Sequence, residues 1–275
     1  MTSTESLPQP AHPALTPPKP FPPPPLTPGW EPGPPDFVGI GAMRSGTTWW
    51  WSVLRSHPGV APADAADGPH AGAYTGKELH FFDHYGQVED VDPAAYHRYF
   101  PRPPGSLVGE WTPRYMYDFW TPPMLRQAAP DARILVMLRD PVERFVSGVA
   151  RYSTRGFAVD PALYHDQFSR GLYWRQLIGV LGYFPRDRVL VLQYERCVRD
   201  FAGQARRTFA FLGLDPERWT PPTRPETPVG IVTRGAEVVN AATLEAIRQA
   251  YRGDLDRLFT DFPDLDRALW PSASG

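Results

Sequence analysis

The chain has 275 residues, 42% of them hydrophobic and 13% aromatic, which is enough to bury one globular core. A formal net charge of −2 gives no overall pull toward nucleic acid or an anionic membrane, so any anion site has to be built locally. Cys197 is the single cysteine, which excludes an internal disulfide and a multi-cysteine metal centre.

Residues 1–35 hold 14 of the 35 prolines, including the run Pro22 to Pro25, and little that could enter a core. This composition predicts a disordered, polyproline-like tail followed by one folded domain over residues 36–271. No basic–apolar–small leader opens the chain, and no apolar run approaches the roughly 20 residues that span a bilayer. The expectation is a soluble, cytoplasmic protein with no membrane or nucleic-acid partner. Of the 28 basic residues only Lys19 and Lys77 are lysine, so arginine fills most cationic positions.

Residues 37–42, a short apolar run bounded by glycine, predict a buried strand, and residues 47–57 predict a helix ended by Pro58 and Gly59. Residues 60–76 are a loop by composition. A second short strand is predicted over 107–109 and the clearest one over 133–138. A helix follows it, with Asp140 at the N-cap, Pro141 at the first helical position and Glu143 at the capping-box position. Residues 173–184 read as helix, 188–193 as a buried strand, and 201–212 and 242–258 as amphipathic helices. Buried strands alternating with helices predict an α/β fold, a single domain whose central parallel sheet is flanked by helices. Ligands in such folds sit at the carboxyl ends of the strands.

The candidate motifs fall at those ends. Gly39-Ile40-Gly41-Ala42-Met43-Arg44-Ser45-Gly46-Thr47-Thr48 joins the first strand to its helix. A glycine-rich turn there brings backbone N–H groups and the helix N-terminus onto an anion. Ser45, Gly46, Thr47 and Thr48 line such a turn, and Arg44 adds a guanidinium. The spacing Gly41 to Gly46 is that of a nucleotide-kinase P-loop, yet Thr47 stands where that motif has lysine. Arg139 follows the strongest strand and Ser147 lies on the next helix, where Arg144, Ser147 and Arg151 share one face. Arg139 and Ser147 form a second candidate phosphate clamp, against the plainer reading of a helix cap with a solvated Arg/Glu face. Two clamps fit a nucleotide carrying anions at both its 5′ and 3′ ends. Trp49, Trp50 and Trp51 point about 100° apart on a helix, and core packing is expected of them before ligand contact.

The phrase Arg44 to Thr48 resembles the 5′-phosphosulfate loop of sulfotransferases that use 3′-phosphoadenosine-5′-phosphosulfate (PAPS). Leu138-Arg139-Asp140-Pro141-Val142-Glu143-Arg144-Phe145-Val146-Ser147 resembles their 3′-phosphate motif. Lys77-Glu78-Leu79-His80-Phe81-Phe82-Asp83 is similar to the heparan-sulfate (3-O- and N-) sulfotransferase branch. The resemblance implies PAPS as co-substrate, no metal, and a hydroxyl or amine acceptor, either a small molecule or a glycan. It further implies Glu78 as catalytic base supported by His80 and Asp83, Arg44 on the transferring group, Arg139 and Ser147 on the 3′-phosphate, and Arg234 in a loop that closes over the nucleotide. Burial is expected to raise the Glu78 pKa and Lys77 to oppose that. The sequence departs from the branch at Trp111, which stands in place of a lysine, in its lack of the animal enzymes' disulfide, and in the 60–76 loop. A P-loop phosphotransferase and a non-catalytic nucleotide-binding module remain the alternatives.

Overall fold

The computed structural model describes residues 22–61, 77–83, 91–221 and 239–273. Four strands form a parallel sheet in the order β4-β2-β5-β6: β2 (Phe37–Gly41), β4 (Gly109–Trp111), β5 (Arg133–Leu138) and β6 (Val189–Gln193). The pairing is in register from Phe37 opposite Arg133 to Leu138 opposite Gln193, apart from a shift between Gly39 and Gly41. Strand side chains alternate between faces, and the two faces carry different cores. Val38, Ile40, Ile134, Val136, Leu138, Val189 and Val191 enter one cluster, while Phe37, Leu135, Met137, Leu190 and Leu192 enter the other. Both faces being buried explains why the strands read as continuous apolar runs.

Helix α1 (Thr47–Arg55) and α8 (Phe201–Phe211) cover the second face. The three tryptophans all pack there. Trp49 stacks on Phe201, Trp51 meets Phe37, and Trp50 donates from Nε1 to Thr208 Oγ1 at 3.2 Å. The first face is covered by α2 (Pro93–His97), α3 (Thr121–Ala128), α4 (Pro141–Ser153), α6 (Tyr173–Leu181) and α9 (Ala241–Asp261), each contributing buried side chains to one cluster. Helices α5 (Pro161–Ser169) and α7 (Tyr194–Arg199) complete the set.

Two predicted elements differ in detail from the sequence expectation, and α2, α3, α5 and α7 stand where it predicts none. The strand predicted over 107–109 begins at Gly109 and runs on through Glu110 and Trp111. Its polar Glu110 is tolerated because three hydroxyls surround it, as detailed below. Asp140 caps α4 as expected, accepting from the N–H groups of Val142 and Glu143, but the Glu143 carboxylate turns to Arg139 instead of back to the cap.

Residues 1–21 of the proline-rich segment lie outside the described residues, as do 62–76. Its last residues are tied to the domain. Strand β1 (Glu31–Pro32) pairs antiparallel with β3 (Pro101–Arg102), and the Arg102 guanidinium bonds Asp36 and the Pro34 carbonyl. At the other end, residues 264–273 strap across the carboxyl ends of β5 and β6. Gln193 and Asp266 exchange two hydrogen bonds, Trp270 Nε1 donates to Glu195 Oε2 at 2.7 Å, and Ser272 N donates to Asp140 Oδ2 at 2.9 Å. Among the described residues no helix is long and apolar enough to cross a membrane.

Candidate active site

The first candidate clamp forms where β2 turns into α1. Arg44 has φ 68° and Gly46, at the N-cap, φ 86°, so the chain doubles back and aims the helix N-terminus at the sheet's edge. Any side chain at Gly46 would strike the Tyr194 ring, its Cβ lying 2.7 Å from Cδ2. Among the described residues no side chain caps α1, so its first N–H groups are left to face a ligand. Ser45 and Thr47 are buried and Thr48 is exposed.

The second forms at the end of β5. Tyr173 donates to the Arg139 carbonyl at 2.9 Å, and Arg139 Nη2 donates to Glu143 Oε2 at 2.5 Å. The guanidinium lies 5.4 Å from the Tyr194 ring centre, and its Nε and Nη1 are buried with no hydrogen-bond partner among the described residues. Buried donors left unpaired are costly, so these two nitrogens mark a place for an anion. Arg144 is fully buried and held by Gln167, so the plainer reading of a solvated Arg/Glu face does not describe this arginine, while Glu143 and Arg151 are exposed.

The two clamps touch. Arg44 Nε donates to Ser147 Oγ at 3.1 Å across 103 residues of sequence. Burial, and then the charges of Arg151, Arg139, Arg144 and Arg155, lower the Arg44 guanidinium from its ordinary value. A chain with a net charge of −2 therefore concentrates five guanidiniums around one point, which is the local field an anionic ligand needs.

The third group is the segment after Lys77, which lies alongside the end of β4. Glu78 and His80 both have left-handed backbones, φ 60° and φ 56°. Residues 111–115 hold this shape through three backbone donors. Glu78 N bonds the Trp111 carbonyl at 2.9 Å, His80 N bonds Thr112 Oγ1 at 3.3 Å, and Phe81 N bonds Tyr115 Oη at 2.9 Å. On the side chains, Lys77 ion-pairs with Glu78, His80 Nδ1 sits 2.6 Å from Asp83 Oδ2, and His80 Nε2 sits 3.9 Å from Glu78 Oε2. Glu78, His80 and Asp83 thus form one line, with buried Asp83 at its inner end and half-exposed Glu78 at its outer end.

Burial would raise the Glu78 carboxyl, but hydrogen bonding from His80 and the charge and hydrogen bond of Lys77 outweigh it and bring the pKa down to about 2. Burial would lower His80, but Asp83 and Glu78 raise it to about 9. The expected rise at Glu78 is therefore reversed, and at neutral pH the line holds an ionised Glu78 beside a protonated His80. Trp111 packs in the core cluster on the opposite face of the sheet from Phe81 and Phe82. It is fully buried against Gly39, with Nε1 donating to the Gly41 carbonyl at 3.2 Å.

The structure brings Arg44, Ser45, Gly46, Thr47, Arg139 and Ser147 to one place and Glu78, His80 and Asp83 to another at the neighbouring strand end. Arg234 lies outside the described residues. Sequence reasoning missed Thr112, Tyr115 and Glu110, although all three lie within four residues of Trp111, the position in that stretch that the sequence singles out. It also missed Tyr173 and Tyr194, which carry no signal beyond ordinary aromatic residues.

A profile described as the sulfotransferase family matches residues 35–221. The heparan sulfate glucosamine 3-O-sulfotransferase 6 of Mus musculus is 31% identical over 196 residues, covering 66% of this chain and 52% of that protein. The 3-O-sulfotransferase 3B1 of the same species is 30% identical over 198 residues, covering 66% and 46%. The chain spans about half the length of the curated relatives it matches. Among solved structures, a sulfotransferase from Alicyclobacillus acidocaldarius superposes with a TM-score of 0.67 at 24% identity, over 86% of this chain and 98% of that one, and so shares its fold.

Proposed function

The chain belongs to the sulfotransferase family, and on that premise we propose that it moves the sulfuryl group of PAPS to a hydroxyl or amino group of a carbohydrate acceptor, with Glu78 as the base. The observation that carries this reading is the Arg44–Ser147 hydrogen bond at 3.1 Å, which joins the two clamps into one elongated anion site. The unpaired Arg139 nitrogens fit the 3′-phosphate and the α1 N-terminus with Arg44 fits the 5′ end. The similarity to 3-O-sulfotransferases acting on heparan sulfate glucosamine supports a carbohydrate acceptor. The domain is taken to run over residues 36–271, with Arg234 contributing to the nucleotide site, and a cytoplasmic setting suits the single buried Cys197.

PAPS supplies an activated sulfuryl group on a phosphate leaving group. The residues do the rest. Glu78 receives the acceptor proton as the new S–O bond forms, and the electron pair of the broken S–O bond stays on the phosphate oxygen that Arg44 and the α1 N–H groups face. A carboxylate held near 2 is a weak base toward a hydroxyl, so it takes the proton late, once bond formation has acidified the acceptor. His80, protonated and braced on Asp83, fixes the direction of the Glu78 carboxylate. A phosphotransferase is the weaker reading because Thr47 replaces the lysine such a loop uses.

Calorimetry with 3′-phosphoadenosine-5′-phosphate (PAP) and with AMP tests the nucleotide half. The expected preference for PAP is at least about 100-fold, from two or more charge-assisted bonds of roughly 1.5–3 kcal/mol each. Equal affinity for the two nucleotides overturns the reading. Transfer of ³⁵S from labelled PAPS to a panel of glycans, phenols and amines tests the other half.

A further inference from the structure

Glu110 is a buried carboxylate beside the catalytic segment that the transfer itself does not use. It is fully buried on β4, on the sheet face opposite Trp111, and its partners are hydroxyls, not cations. Tyr96 Oη donates to Oε1 at 2.7 Å and Thr112 Oγ1 donates to Oε2 at 2.6 Å. Tyr115 hydrogen-bonds to it as well. A hydroxyl has a single proton. Once Thr112 gives its proton to Glu110, only lone pairs are left for its other neighbours, among them the His80 N–H at 3.3 Å. Tyr115 Oη likewise presents a lone pair to the Phe81 N–H at 2.9 Å. When ionised, Glu110 is acceptor-only and therefore dictates which way the hydroxyls beside it point.

We propose that Glu110 is a positioning residue for sulfuryl transfer, acting through Thr112 and Tyr115 to hold the left-handed backbone that aims Glu78 and His80. The inference rests on the reading of Glu78 and His80 given above. Both residues have positive φ, a conformation that side-chain-bearing residues keep only when neighbours over-determine it. Two of the three backbone bonds that do so end on hydroxyls oriented by Glu110.

The test compares Glu110→Met, which keeps volume and removes the acceptor, with Thr112→Val, which replaces only a hydroxyl by a methyl, and Thr112→Ser, which restores the hydroxyl. All are assayed at pH 8, above the Glu110 pKa of about 7. Glu110→Met and Thr112→Val should each lower kcat at least tenfold while leaving the acceptor KM and the PAP dissociation constant within threefold of wild type. Thr112→Ser should recover most of the rate, and the double variant should be no slower than the worse single one, because both cut the same chain of bonds. Near-normal kcat in Thr112→Val, losses that multiply in the double variant, or no recovery in Thr112→Ser overturns the inference. Should Glu110→Met fail to fold, the Thr112 pair decides alone. If the wild-type protein transfers sulfate and the variants match it, only this inference falls; if the wild type transfers none, the functional reading falls with it.

Discussion

Arg44, Glu78 and His80 are the non-glycine residues with left-handed backbones among the described residues. Each such residue costs on the order of 1–3 kcal/mol, and all three stand where the sequence motifs put the reacting group and its base. At Glu78 and His80 the motifs could not show this strain, because it is held by hydrogen bonds to Trp111, Thr112 and Tyr115, more than thirty residues away. Glu78→Gln should abolish transfer in the ³⁵S assay and leave PAP affinity within a fewfold; near-normal turnover would remove Glu78 from the role. Ser147→Ala should weaken PAP binding roughly 10–100-fold by calorimetry, from one charge-assisted bond of about 1.5–3 kcal/mol, and affect AMP less. His80 supplies a pH signature. Its folded pKa of about 9 means the proton that faces Glu78 is present at neutral pH and lost as pH rises through 9. The rate should therefore fall along an alkaline limb near 9, and that limb should vanish in His80→Asn.

At the level of elements, β2, β5, β6 and α4 were legible because their signals are local: apolar runs between glycines, and Asp140-Pro141 at a helix start. The same Asp-Pro signal stands at Asp92-Pro93 and Asp160-Pro161, where Asp92 and Asp160 cap α2 and α5. Those helices are absent from the sequence expectation because they are short, five and nine residues, and carry little apolar periodicity. Strand β4 was misplaced because a buried glutamate looks like the end of a strand until its hydroxyl partners are known. The seam between β2 and β4 is tight: a Cβ on Gly39 would lie 2.1 Å from Cδ2 of Trp111. Gly39→Ala should destabilise the protein by about 1–3 kcal/mol, the usual cost of overfilling a core, and Trp111→Phe should relieve part of that loss in thermal unfolding.

Across the whole molecule, buried acids set the pH dependence of stability. Burial raises Glu110 and Glu195 to about 7 and Asp118 to about 6, despite hydrogen bonds and neighbouring charges that pull them down. Each keeps its proton better folded than unfolded, so each contributes stability that is complete below its ordinary pKa and lost as pH climbs through the raised value. His80 acts in the same direction up to about 9, while Glu78, held near 2, loses its contribution only when pH drops below its ordinary range. The melting temperature should accordingly be several degrees higher at pH 5 than at pH 8.5, at roughly 2–4 °C per kcal/mol for a chain of this size. A flat profile in calorimetric scans would contradict this.

The Ser147 hydroxyl serves two masters. It accepts from Arg44 at 3.1 Å, and it lies on α4, the helix that follows Arg139 and its two unpaired donors. Whatever engages it at one end of the site is felt at the other, and thermodynamic reciprocity requires the influence to run equally in both directions. Titrated together, inorganic sulfate and adenosine 3′-monophosphate should each alter the affinity of the other by the same factor, so that the grip on the leaving group is tuned from the far end of the nucleotide.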